Sequence, residues 1–376
     1  MNTRQTSDVS IVAFWKSINV WIIPVFASIL LFISTPYVGE IQKIIAHYTG
    51  KHSDKIIFSF ILIFIISFMG FAFWKLRWKS PDKYLKFFVI VILYFIAIRY
   101  FQNPNKRVRV IEVIHFIEYG VLSFLFYKAF KSNQKSELSL ANFLFPVIIM
   151  SIIGVLDESI QWIVEKRTGE IRDVMVNIVA GLLPQILLVL FSPFTKNWFY
   201  ISKKQIPILL RGLIGFTVVI SIFFAFAHLG FKFKLDNTVE MVSHFTQDQL
   251  REINRNPLIT EKIIKYMNSK NAWNPENYYV SEAKGHEGAR NKSYDIGRLD
   301  FAYRENEILE TCYEPYLNAS KAWWEPEKKE AAFQLINNLQ VKLYRSPVGR
   351  QILFTGIDPR IYWIVVVFLV FAITKL

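Results

Sequence analysis

The chain has 376 residues, of which 53% are apolar, 16% aromatic and 20% charged, with a formal net charge of +14. A soluble domain averages about 25% charged residues. Here the charge is uneven: long apolar runs alternate with short basic connections from Ile18 to Phe231, near-neutral mixed sequence follows from Lys232 to Gly356, and an apolar run from Ile361 to Ile373 closes the chain. The excess positive charge belongs to the apolar part. It therefore orients membrane segments rather than gripping a nucleic acid. A single cysteine, Cys312, excludes an internal disulfide.

A helix crosses the hydrocarbon core in about 20 residues. On that measure the spans fall near 18–35, 56–74, 84–101, 110–130, 139–164, 171–192, 207–230 and 357–374. The expected fold class is an all-α polytopic membrane bundle of about eight transmembrane helices, with a mixed, mainly helical extracytoplasmic domain before the last span. The first run has the length of a span and no small-x-small cleavage site, so it reads as a membrane helix rather than a signal peptide. Segmentation gives N-terminal spans in 1–83, a helical core in 84–192, a further span in 193–231, the mixed domain in 232–356 and a last span in 357–376. Lys75, Arg77, Lys79 and Lys83, then Lys128, Lys131 and Lys135, then Lys196, Lys203 and Lys204 fall in alternate connections. The positive-inside rule then puts both termini in the cytoplasm and 232–356 outside. Lys106, Arg107 and Arg109 run against that pattern.

Ionisable residues inside spans are costly and mark candidate function. The fourth span carries Glu112, His115, Glu118 and Tyr119, the fifth ends in Asp157, Glu158 and Gln161, a short connection holds Arg167, and the sixth opens with Asp173 and Asn177. Positions three or four apart share a helix face, so Glu112, His115 and Tyr119 form a stripe, as do Asp157 with Gln161 and Asp173 with Asn177. With alternating spans, all three sets fall in the same leaflet. The plain alternatives are interfacial solvation and an Asp173 that complements its helix N-terminus.

Glu112-x-x-His115 with Glu118-Tyr119-Gly120, then Asp157-Glu158-x-x-Gln161, then Arg167 leading to Asp173-x-x-x-Asn177-x-x-x-Gly181, resembles the VanZ-like family of bacterial membrane proteins over 84–192. That resemblance implies a cell-membrane location. It also implies a candidate link to helical membrane enzymes that act on lipid head groups, such as phosphatidylserine-type synthases. Three functions stay open. In the first, the cluster modifies a phosphate-bearing lipid head group or a lipid-linked glycan at the outer leaflet. His115 is then the proton carrier, Glu112 or Glu118 orients it, and Asp157 and Glu158 act as base or hold a divalent cation. Arg167 meets phosphate, while Tyr119, Gln161, Asp173 and Asn177 contact substrate. In the second, the site binds a lipid or drug without chemistry and the outer domain recruits a partner. In the third, the polar groups only fix helix packing.

The 232–356 segment shows helical patterning at 246–267 and 327–345, with aromatic-rich, loop-like sequence between. Its aromatic residues read as core. His286, Glu287 and Arg290 form a polar group that reads as a solvated loop before it reads as a second site. No Walker, Rossmann, zinc-finger or G-x-S-x-G pattern occurs.

Overall fold

The fold is described from a computed structural model. It describes residues 20–37, 81–101, 106–133, 139–164, 169–192, 201–268, 277–336 and 343–375, with a few isolated positions between 40 and 63. The chain divides into two compact units, one of 1–161, 169–220 and 369–376, the other of 162–168 and 221–368.

The first unit is helical. Its described elements are α1 (Val20–Tyr37), which closes in a 3-10 turn at Thr35–Tyr37, α2 (Pro81–Tyr100), α3 (Lys106–Asn133), α4 (Ala141–Ile163) as far as residue 161, α5 (Ile171–Phe191) and α6 (Ile206–Ala227) as far as residue 220. Among the described residues, α1, α4, α5 and α6 are long and apolar enough to cross a membrane. This is a coarser result than the eight spans expected. The second expected span, 56–74, lies almost wholly outside the described residues. The third and fourth coincide with α2 and α3, which are long but interrupted by charge. The last has 17 residues, Pro359–Lys375.

Two glycines set how closely α4 and α5 pack. A Cβ built on Gly154 would lie 2.9 Å from Asn177 Cβ, and one on Gly181 would lie 2.8 Å from Met150 Cβ. Real Cβ atoms do not approach so closely, so only glycine allows the two helices to meet here. Around this seam pack Phe116, Tyr119, Leu122 and Phe126 of α3, Met150 and Ile153 of α4, and Val176, Ala180 and Leu183 of α5. Large apolar side chains such as Phe26, Phe95 and Leu85 point outward. An exposed apolar surface of this kind suits lipid and not water.

The second unit is mixed. A four-stranded sheet has the order β3-β2-β1-β4, with β1 at Leu229–Lys234, β2 at Val239–Ser243, β3 at Tyr344–Arg345 and β4 at Phe354–Thr355. β1 and β2 form a hairpin in which Phe231 pairs with Ser243 and Lys234 with Glu240, while β3 and β4 add in parallel on either side. Asp236 ties the hairpin turn by accepting from the backbone N–H groups of Thr238 and Val239.

After the hairpin come α7 (Gln247–Arg255), α8 (Ile259–Asn268), α9 (Tyr278–Asp295), α10 (Leu299–Cys312), α11 (Glu314–Ser320) and α12 (Pro326–Ile336), and α13 (Pro359–Lys375) ends the described chain. A capping box joins Thr246 and Gln249 at the start of α7. The helix expected over 246–267 is two helices, divided at Asn256-Pro257, because proline cannot donate within a helix. The one expected over 327–345 stops short of Tyr344, which lies in β3. The loop-like aromatic stretch is instead largely helical. Tyr279, Tyr313 and Tyr316 stand in its core beside Val239, Met241, Ile308 and Leu309, whereas Trp323 is exposed, so the core reading holds for part of the aromatic group.

Candidate functional site

Asp157 is the centre of the polar residues in the first unit. Near the C-terminal end of α4 it is 2% exposed. Its Oδ1 accepts from the Thr35 hydroxyl at 2.6 Å. Its Oδ2 accepts from the Tyr119 hydroxyl at 3.2 Å and from Gln161 Nε2 at 3.1 Å. One carboxylate thus ties together α1, α3 and α4. Gln161 Nε2 also lies 2.8 Å from Glu158 Oε1, and Glu158 Oε2 accepts from the Glu170 backbone N–H at 3.2 Å. Glu158 therefore holds the entry to α5 in place.

The remaining expected residues divide. Tyr119 is fully buried, and its ring centroid lies 6.1 Å from that of His115, one turn earlier on α3. His115 Nδ1 lies 4.0 Å from Glu118 Oε2, and Glu118 is half exposed. Asn177 is 0% exposed, next to Gly154 across the α4–α5 seam, and a Cβ on that glycine would lie 3.7 Å from both Asn177 Nδ2 and Tyr119 Cε1. Asp173 pairs instead with Arg172 at 2.8 Å, whose guanidinium also donates to the Phe101 carbonyl. The side chain of Glu112 and all of Arg167 lie outside the described residues. Tyr119, Asp157, Gln161 and Glu158 are thus joined by hydrogen bonds, Asn177 meets Tyr119 around Gly154, and His115 and Glu118 lie beside Tyr119 on α3.

Thr35 is the residue that sequence reasoning missed. A threonine at the end of an apolar helix carries little signal, since its hydroxyl commonly bonds back to the preceding turn. The Thr35 hydroxyl also lies 2.9 Å from the Leu31 carbonyl, so its one proton is shared between that oxygen and Asp157.

The most unusual atom group is the Asn177 carboxamide. Among the described residues, neither its Oδ1 nor its Nδ2 has a hydrogen-bond partner. A buried polar group left so costs about 1–3 kcal/mol. A divalent cation fits the described residues poorly: no group of three or more His, Cys, Asp or Glu among them is placed to hold a metal. The Asp157 and Glu158 oxygens are already engaged by the donors named above.

The second polar group expected, His286, Glu287 and Arg290, is not a solvated loop. It lies on α9, with His286 and Arg290 buried. His286 Nδ1 sits 2.6 Å from Glu305 Oε2, and Glu305 Oε1 accepts from Tyr344 and Ser346. Glu287 accepts from the Tyr316 hydroxyl. Arg290 donates to Asn306. A parallel group surrounds Glu282, which accepts from Ser243, Tyr313 and both the backbone and Nδ1 of His244. Burial alone would raise the Glu282 carboxyl, but the His244 and Ser243 bonds outweigh it and hold it below the ordinary range.

Residues 20–192 match the sequence model of the VanZ/LLP1 family. The match begins well before the motif-bearing core at 84–192 and takes in α1, hence Thr35. No curated protein and no solved structure gives a match.

Proposed function

Taking residues 20–192 as a VanZ-like membrane segment, we propose that this protein binds the polar head group of a phosphate-bearing membrane lipid or lipid-linked glycan and acts on it. The observation that carries the reading is the Asn177 carboxamide, buried and unpartnered beside Tyr119. Two N–H donors and an acceptor without partners in an apolar bundle favour a polar ligand strongly, because no lipid tail can satisfy them. His115 carries the proton, and Glu118, 4.0 Å away, orients it. Asp157, held by Thr35 and Gln161, fixes the Tyr119 hydroxyl next to the bound group. Arg167 supplies positive charge for phosphate. The charge bias of the connections orients the cluster to the outer leaflet, with both termini cytoplasmic and 232–356 extracytoplasmic.

One observation favours a binding role without chemistry: both Asp157 oxygens accept from neighbouring side chains, which leaves no free carboxylate base there. The two readings separate by experiment. Cells making the wild type, His115→Ala or Asn177→Ala are compared by mass spectrometry of their envelope lipids, with folded protein measured by size-exclusion chromatography. Enzymatic action predicts a loss of at least about 100-fold with His115→Ala. Unchanged turnover in that variant leaves binding alone, and unchanged lipid retention in Asn177→Ala removes the site.

A further inference from the structure

We propose a second ligand site, independent of the membrane cluster: a basic cleft in the mixed unit that takes a phosphate- or diphosphate-bearing group. The cleft has a volume of about 470 Å³ and lies between the outer face of α9 and the segment 344–350. Four cations line it, Lys292, Arg298, Arg345 and Arg350, and among the described residues no acidic side chain does. The unit is near neutral overall, so this is a local concentration.

The chain builds the cleft by particular devices. α9 carries glycine at 285 and 288, and a Cβ on Gly288 would meet nothing within 4 Å, so bare backbone forms an open wall there. The helix ends at Gly297, in the left-handed region at φ 76°, with Gly297 N–H bonded to Tyr294 O and Arg298 N–H to Ser293 O. This Schellman turn fixes the position of Arg298 at the end of α9. Opposite, Gly349 has φ 78°, and a Cβ on it would lie 2.4 Å from the Val242 carbonyl oxygen. That contact pins the turn that carries Arg350.

The charge count decides the ligand. Arg345 is matched by Glu240, 3.0 Å away and shared with Lys232. The Arg298 guanidinium lies over the Phe301 ring at 3.4 Å and keeps its charge. Among the described residues, Lys292 and Arg350 have no carboxylate partner. The C-terminal end of α9 adds only about half a negative charge. More than one positive charge is left over, which a lone carboxylate cannot match and a phosphate of about −1.5 to −2 can. The volume falls within the roughly 300–1,000 Å³ of small-molecule sites. An organic group therefore accompanies the phosphate, and Phe301 gives it an apolar flank.

Titration calorimetry with inorganic pyrophosphate tests the site, using the full chain in phosphatidylcholine nanodiscs at low salt. Lys292→Gln with Arg350→Gln is expected to weaken binding at least tenfold. Gly288→Leu, which fills the cleft without touching a charge, is expected to do the same, with the unfolding midpoint of each variant unchanged. Phosphatidic acid in the nanodisc, whose phosphomonoester carries the required charge, identifies the source: competition with pyrophosphate marks a lipid head group, and its absence marks a soluble phosphorylated compound. No pyrophosphate binding by the wild type overturns the proposal. So does a loss confined to the charge variant, which marks diffuse attraction at the surface, or binding kept by both variants.

Discussion

Asp157 and Glu282 are both buried acids, and both are surrounded by donors, yet the residues beside them differ. Glu282 lies in a unit whose polar groups are drawn from a sheet, a helix and a loop, and it meets Ser243, His244 and Tyr313. Asp157 lies among apolar helices and meets Thr35, Tyr119 and Gln161, and the Asn177 amide, unpartnered among the described residues, meets the same Tyr119 around Gly154. Saturated acids of both kinds specify packing. The amide without partners is what distinguishes the bundle, and it points to a ligand. Breaking each group in turn separates the two roles.

The largest effect is expected from Asp157→Ala. It strands the Tyr119 hydroxyl and one N–H of Gln161, each worth about 1–3 kcal/mol when buried without a partner, while Thr35 keeps the Leu31 carbonyl, so stability falls by about 2–6 kcal/mol. Thermal unfolding of the purified protein measures this, and a shift near zero would deny Asp157 its role in joining α1, α3 and α4.

Glu282→Gln comes next, at about 1.5–3 kcal/mol for bonds to a charged acceptor. Its sign with pH is fixed. The folded carboxyl titrates below its ordinary value, so its stabilisation is present above the unfolded pKa of about 4.5 and is lost as pH falls through the folded value. The wild type should lose stability between neutral pH and pH below 4 more steeply than the variant. Parallel acid limbs would mean that Glu282 is not held ionised.

Residues that are expensive where they stand were legible before any coordinates. Tyr119, Asp157, Glu158, Gln161 and Asn177 are polar groups in apolar runs, and the structure brings them together. Thr35 was not legible, because one hydroxyl at a helix end costs almost nothing. The sheet was hidden for another reason: β3 and β4 have two residues each, too few for an alternating pattern to register. Helix α9 was hidden by its own glycines, which read as a loop although tertiary contacts hold the helix. The buried pair of His286 and Glu305 joins two helices 19 positions apart, and no local spacing reports it.

Gly154→Ala tests the seam itself. The added methyl meets Asn177 Cβ at 2.9 Å, and both atoms are on stiff, close-packed helices. Overpacking of this kind costs about 1–3 kcal/mol. Loss of that size in thermal unfolding is expected even though alanine is the better helix former, and a gain would show that α4 and α5 have room to separate.

The smallest effect on stability, and the most discriminating, belongs to Asn177→Ala. The variant keeps the Cβ that packs against Gly154 and deletes only the amide. Losing the amide's volume leaves a small void, which destabilises, but the unpartnered N–H and C=O groups go with it, which stabilises by about 1–3 kcal/mol. The two nearly cancel, and a change within about 1 kcal/mol is expected for the protein without ligand. A head-group lipid should then raise the unfolding midpoint of the wild type but not of the variant, since only the wild type has an amide for it to satisfy. If the variant loses as much stability as Asp157→Ala, the amide is already satisfied by the protein, and packing accounts for it.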